Sequence, residues 1–343
     1  MPAVMIYAAG DLRIEEANRS TPAAGQVEVS IGVGGICGSD LHYYHHGGFG
    51  TVRVKEPMAL GHEISGTVTK LGEGVSRLAI GTRVAINPSL PCGRCVYCHR
   101  GMRNECLDMR FMGSAMRVPH VQGGFRSHVV VEFEQAIPIA GSLSLGEAAM
   151  AEPLAVCLHA VNRAGPLVGK RVLITGCGPI GALMILAARF SGAAEVVVTD
   201  IGPFPLQKAI EIGASRAINI ATDAVALEPE KADKGQFDVA FEASGAEQAA
   251  HLALEVLRPG GTFVQLGLGG DFKIPMNLIV TKEIDFSGSF RFDSEFALAV
   301  DLLGKGLIGV RPLITATLPV EHAIQAFGLA SDRSRSMKTQ ISF

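Results

Sequence analysis

The stretch KRVLITGCGPIGALMILAARFSGAAEVVVTD, residues 170–200, decides the fold class. It reads as a short apolar strand, a glycine-rich turn, a helix closed by Gly192 and a second apolar strand. Gly176, Gly178 and Gly181 form G-x-G-x-x-G directly after the first strand and at the start of the helix, with Pro179 and Ile180 between them. In such a unit the first glycine permits the tight turn and the second lets the backbone approach a pyrophosphate at the helix N-terminus. The third lets the helix pack closely on the strand. The motif alone is weak evidence, but the second strand ends in Asp200, where an acid accepts the ribose hydroxyls of a dinucleotide. The next residues, Ile201, Gly202, Pro203 and Phe204, include no base. A 2′-phosphate would meet Asp200 and no arginine, so NAD is expected over NADP.

Beyond Asp200 the rhythm continues. PLQKAIEIGAS (205–215) is a helix with its stop at Gly213, and FDVAFEASG (237–245), AAHLALEVLRPGG (249–261) and TFVQLG (262–267) extend the alternation. This implies a parallel sheet covered by helices. Residues 221–235 read as a polar surface connection. SEFALAVDLLGKGLI and VEHAIQAFGLA add two amphipathic helices near the end. The first 150 residues differ. QVEVSIGVGGICG (26–38), ISGTVTKLG (64–72) and SHVVVEFEQAIPI (127–139) are strand-like runs broken by glycine. Ser144 with Glu147 forms a capping box, and two helical stretches parted at Pro153 are expected to follow.

At 343 residues the chain has room for two domains with large cores. A net charge of −3 and scattered Lys and Arg leave no basic footprint for nucleic acid or an anionic membrane. The opening residues lack a basic segment followed by an apolar core, so no secretory signal is read there. Val172–Ala188 is seventeen residues without a charge, but its glycines and Pro179 fit a buried strand–turn–helix better than a membrane span. The expectation is a cytoplasmic protein, where reduced thiols suit metal ligation.

Four of the seven cysteines fall within fifteen residues: Cys92, Cys95, Cys98 and Cys106, spaced C-x2-C-x2-C-x7-C. Four thiolates close a tetrahedral zinc shell and leave no position for substrate, so this cluster reads as structural. An iron–sulfur site is the alternative, although ferredoxin runs space their cysteines differently.

Further motifs stand in order along the chain: GICGSDLH (35–42), LGHEISGTV (60–68), GTRVA (81–85), CGRCVYCHRGMRNEC (92–106), GGF (123–125), EPLAV (152–156) and GCGPIG (176–181). On these motifs the chain resembles, from end to end, the zinc-dependent medium-chain dehydrogenase/reductase family, in its polyol dehydrogenase branch. The resemblance implies an α/β protein. Residues 1–153 and 291–343 would form a GroES-like, β-rich catalytic domain carrying the structural zinc lobe, and residues 154–290 a Rossmann NAD-binding domain. Two zinc ions per chain are implied. Cys37 and His62 would bind the catalytic zinc, with Glu63 or Glu152 as the third ligand. Glu63 could instead pair with an arginine.

Zinc with an open position lowers the pKa of bound water to about 7 and acts similarly on an alcohol, which prepares the alcohol for hydride transfer to NAD. The resemblance makes Ser39 the first proton acceptor and His42 the relay to solvent, with His45 and His46 as surface residues. It implies an open-chain polyol or sugar-acid substrate, oxidised at a secondary alcohol. The carboxylate of a sugar acid needs a cation or several donors. Arg110 and His120 are the expected determinants of acid specificity, with Arg117 also in the segment. Arg291 is expected on substrate hydroxyls, as is Tyr43, with Phe111 and Phe292 as apolar walls. A homodimer or homotetramer is expected, with the sheet edge near Ile274–Phe286 available for pairing. A non-catalytic nucleotide-binding protein is the contrasting reading. Loss of Cys37 or His62 would favour it, and both are present.

Overall fold

The computed structural model describes residues 1–223 and 225–343; position 224, within the polar connection, lies outside the described residues. The chain divides into two compact units, which are described separately. The first comprises Met1–Glu152, Phe296–Asp332 and Lys338–Phe343; the second comprises Pro153–Glu295 and Arg333–Met337. Arg333–Met337 cluster with the second unit rather than with the rest of the C-terminal segment.

In the first unit, the strand Gln26–Gly35 is the hub of a seven-stranded sheet. It pairs antiparallel with Glu63–Leu71, His128–Glu132 and Lys338–Ser342. Alternate residues Val27, Val29 and Ile31 enter an apolar core with Val4, Ile64, Val84, Phe125 and Phe327. SHVVVEFEQAIPI is not one strand. A 3-10 turn at Phe133–Gln135 divides it into His128–Glu132 and Ala136–Pro138, which pair with different neighbours. Ser144 caps the helix Leu145–Ala149 as its box predicts. The break between the two helices falls at Met150, not at Pro153. Pro153 lies in the first turn of Ala151–Ala164, where a missing N–H goes unnoticed.

The second unit carries a six-stranded parallel sheet. In spatial order its strands are Arg216–Asn219, Glu195–Asp200, Arg171–Thr175, Phe237–Glu242, Leu257–Gln265 and Asp285–Gly288. Counted along the chain this is 3-2-1-4-5-6, the doubly wound order. Val172–Ile174 and Val196–Val198 are wholly buried, as strands covered on both faces must be. The polar connection contains a short 3-10 segment, Glu228–Lys234.

Candidate active site and cofactor site

Strand register assembles the first metal cluster. Gly35, the last residue of Gln26–Gly35, stands opposite Glu63, the first residue of Glu63–Leu71. The chain leaving one strand therefore passes the chain entering the other. Cys37 follows as the cap of the helix Gly38–His46, and His62 precedes Glu63. One ligand atom from each of Cys37, His62 and Glu63 lies within 4.8 Å of the others.

Asp40 fastens this junction. It is wholly buried, and its carboxylate accepts from Cys37 N at 2.9 Å and from Gly61 N at 3.2 Å. It ties the two ligand-bearing turns together and lies 3.9 Å from His62 Nδ1. Burial raises its pKa, and the nearby His62 works against the rise. Phe111 walls the cluster with its ring 5.4 Å from that of His62.

Glu63 does find a basic partner, but a lysine rather than an arginine. Lys338 is almost fully buried, on the strand Lys338–Ser342. Its Nζ donates to both oxygens of Glu63, at 2.7 and 2.8 Å, and to Ile36 O at 3.1 Å, which uses all three ammonium protons. Gly35 makes room for this pair, because a Cβ there would lie 2.2 Å from Glu63 Oε2. Glu152, buried at the start of its helix, is not part of the 4.8 Å set. Burial pushes its carboxyl up to about 8, with His62 opposing the rise and Glu63 and Cys37 adding to it.

These residues fit a dication. His62 Nδ1 is buried without a hydrogen-bond partner, an orphan that metal coordination or a closer approach of the Asp40 carboxylate, now 3.9 Å away, would explain. Burial pushes the Cys37 thiol up to about 12, so it needs a cation to ionise. A dication with the Lys338 ammonium would neutralise the Cys37 thiolate and the Glu63 and Glu152 carboxylates.

The second cluster is local. The sulfurs of Cys92, Cys95, Cys98 and Cys106 gather within 4.8 Å of one another, carried by the short helix Val96–His99 and the turn Arg103–Glu105. Cys106 Sγ accepts from Cys92 N at 3.2 Å and Asp108 N at 3.3 Å, and lies 4.0 Å from Cys95 Sγ. A tetrahedron with Zn–S near 2.3 Å has edges of about 3.8 Å. Backbone N–H groups, led by that of Cys98, pull the Cys95 thiol down to about 6. None of the seven cysteines is in a disulfide.

Ser39 is half-buried in the first turn of Gly38–His46, and the Ser39 backbone N–H donates to the Cys37 sulfur. His42 follows one turn later and is exposed, on the same helical face. His45 and His46 are exposed as well. Two residues expected on substrate have partners within the protein. Tyr43 is only 1% exposed, and its hydroxyl oxygen accepts from Ala115 N at 3.0 Å. His120 is buried: its Nε2 accepts from Lys55 N at 2.8 Å, and Nδ1 contacts Arg117 O at 2.5 Å. That pairing fixes a neutral ring with its proton on Nδ1 and leaves no donor for a carboxylate. Arg110 is exposed, but it alternates with Phe111 along a short strand. With Phe111 facing His62, Arg110 points the other way. Arg117 pairs with Asp108. Arg291 belongs to the second unit, with its guanidinium 4.8 Å over the Phe290 ring. Phe292 is buried in the same unit.

In the second unit each glycine of the phosphate loop has a visible reason. A Cβ on Gly176 would lie 2.6 Å from Ser244 Cβ, and one on Gly181 would lie 1.9 Å from Gly176 O. Gly178 faces open space at the cap of Pro179–Phe190, where a pyrophosphate would approach. Pro179 takes the first helical position, and Ile180 O accepts from Cys157 Sγ. The Asp200 carboxylate accepts from Cys177 N at 2.7 Å and from Ile201 and Gly202 N at 2.7 and 2.8 Å. It thus braces the glycine loop while keeping acceptor capacity for a ribose hydroxyl. Sequence reasoning missed Asp40, Lys338 and Glu242, a buried carboxylate at the end of its strand.

Two family models cover most of the chain. The alcohol dehydrogenase GroES-like domain matches residues 23–141, and the zinc-binding dehydrogenase model matches residues 179–305. The chain belongs to the zinc-dependent medium-chain dehydrogenases and is an NAD-linked zinc alcohol dehydrogenase. Among its relatives, L-idonate 5-dehydrogenase (NAD(P)(+)) of Escherichia coli (strain K12) is 46% identical over 316 residues, covering 92% of this chain and 91% of the relative. Sorbitol dehydrogenase of Gallus gallus is 37% identical over 331 residues, covering 95% and 92%. The crystal structure of the Escherichia coli L-idonate 5-dehydrogenase matches with a TM-score of 0.96 at 43% identity, covering 100% of this chain and 98% of that one.

Proposed function

We propose that this enzyme oxidises the secondary alcohol at C5 of L-idonate, giving 5-dehydro-D-gluconate, NADH and a proton, in a reversible reaction. The observation that carries this reading is the 46% identity to L-idonate 5-dehydrogenase over nearly the whole length of both chains. In this reading Cys37 and His62 hold the catalytic zinc, and Glu152 completes its protein ligands at rest. Glu63 stays on Lys338, which engages both of its oxygens. Bound zinc supplies Lewis acidity to the substrate hydroxyl. Ser39 Oγ takes the hydroxyl proton and His42, exposed one turn on, passes it to solvent. Gly176, Gly178, Gly181 and Asp200 hold NAD, and the absence of a base among residues 201–204 supports NAD over NADP.

A neutral polyol such as sorbitol or xylitol is the second reading. It is favoured by the internal pairing of His120 and the orientation of Arg110, which leave Arg291 as the remaining cation among the expected substrate contacts. Measuring NADH formation with L-idonate, sorbitol and xylitol separates the two. L-Idonate is expected to lead in kcat/KM, and a tenfold preference for a neutral polyol, about 1.4 kcal/mol, would overturn the assignment.

Pairing of two chains along the edge strand Asp285–Gly288 is supported by Phe286, 42% exposed, and by Met276 and Val280, 59% and 69% exposed on the adjacent helix. Light scattering on the purified enzyme distinguishes monomer, dimer and tetramer. No helix among the described residues is long and apolar enough to cross a membrane. A reducing, cytoplasmic setting suits the free cysteines.

A further inference from the structure

Glu242 is wholly buried, and the described residues give it no ion pair. Its carboxylate is surrounded by donors instead. Oε1 accepts from Ser244 N at 2.8 Å, from Gly245 N at 3.1 Å, from Thr175 Oγ1 at 3.4 Å and from the Ser244 hydroxyl. Oε2 accepts from Gly245 N at 2.9 Å and from Gln265 Nε2 at 2.6 Å. The backbone joins in: Leu266 N and Gly267 N donate to Glu242 O at 2.8 and 2.9 Å.

The location gives this cluster its meaning. Glu242 ends the fourth strand of the doubly wound sheet, opposite Thr175 on one side and Gln265 on the other. Thr175 immediately precedes the phosphate loop, and the strand order reverses between these two strands. Dinucleotides bind in the crevice at that switch point. The first glycine of the loop rests directly on Ser244, whose N–H and hydroxyl Glu242 holds. Gln265 gives its amide hydrogens to Glu242 and Gly267 O, although this leaves its own Oε1 buried without a partner. A buried carboxylate without an ion pair carries a heavy desolvation cost, which a full set of donors offsets. A glutamine could not replace it, because its NH2 would face N–H groups that cannot turn round to accept.

We propose that Glu242 is the positioning residue of the dinucleotide crevice. It fastens the loops after the first, fourth and fifth strands to one another and so holds the phosphate loop in its binding geometry. It acts through Ser244, Gly245 and Gln265, since its oxygens are occupied by the protein's own donors.

The test is NADH binding by fluorescence to the zinc-loaded enzyme, well below its melting temperature. Glu242→Gln should weaken NADH about tenfold, raise the KM for NAD more than it lowers kcat, and leave the zinc content at the wild-type value. Should that variant fail to fold, Ser244→Ala removes a single donor and should weaken NADH about threefold. A lower melting temperature with NADH affinity within a factor of two of wild type, in whichever variant folds, would show a merely structural role and overturn the proposal.

Discussion

The two metal clusters are built in opposite ways. Cys92, Cys95, Cys98 and Cys106 come from one segment of fifteen residues, and their geometry is set by short turns. Cys37, His62 and Glu63 come together only because Gly35 and Glu63 are partners in a sheet, and Lys338, 275 residues beyond Glu63, is brought in by a third strand. The local cluster draws all four of its sulfurs from one loop. The assembled cluster carries a buried charge problem that the sheet, Asp40 and Lys338 solve together. In the proposed reading this difference separates a fastening from a reactive centre: four thiolates would close the first, and the second has Lys338 and the carboxylates of Glu63 and Glu152 beside it.

Breaking the local cluster should have the largest effect on folding. Cys98→Ser is expected to take zinc content from two to one per chain and to lower the melting temperature or solubility sharply, because structural zinc contributes folding energy outright. Metal analysis with thermal denaturation checks this. Lys338→Met probes the assembled cluster. It leaves Glu63 buried without its cation, which costs about 3–5 kcal/mol, whereas Lys338→Arg should recover part of the loss. Urea denaturation of the two variants measures the gap. Ser39→Ala should lower kcat by about 10²-fold or more with both zincs retained. Unchanged turnover would remove Ser39 from the proton path.

The smallest expected effect lies away from both clusters, at Glu28. Its buried carboxylate is held down to about 2, chiefly by Arg19, with Thr69 assisting and burial opposing. Because its folded pKa is depressed, its stabilisation is present above the ordinary value of 4.5 and fades as pH falls from there toward 2. With Arg19 partly in solvent, Arg19→Ala should lower the melting temperature modestly at pH 7, and the gap to wild type should narrow by pH 3.5. Melting curves at the two pH values check the sign.

What the sequence made legible follows the same division. The phosphate loop and the four-cysteine lobe are local patterns whose residue types and spacing state their chemistry. Cys37 and His62 are recognisable by type and motif. Asp40 resembles any acid in a first helical turn, Lys338 any lysine near a C-terminus, and Glu242 the end of a strand. Only strand register reveals their work. Tyr43 and His120 show the converse. Their residue types and motif suggest substrate contacts, while the partners they have within the protein, Ala115 N and Lys55 N, come from distant segments that the motif does not reveal. Pro153 looked like a helix boundary because proline breaks helix interiors, yet it lies in a first turn, where it is harmless.

The contrast between the clusters is tested most directly by zinc content and NADH formation in a single variant, Cys37→Ser. The expected result is a folded protein with the lobe zinc retained, one zinc per chain lost and no turnover of L-idonate. Two zincs per chain with substantial turnover would contradict the assignment of the reaction to Cys37 and His62.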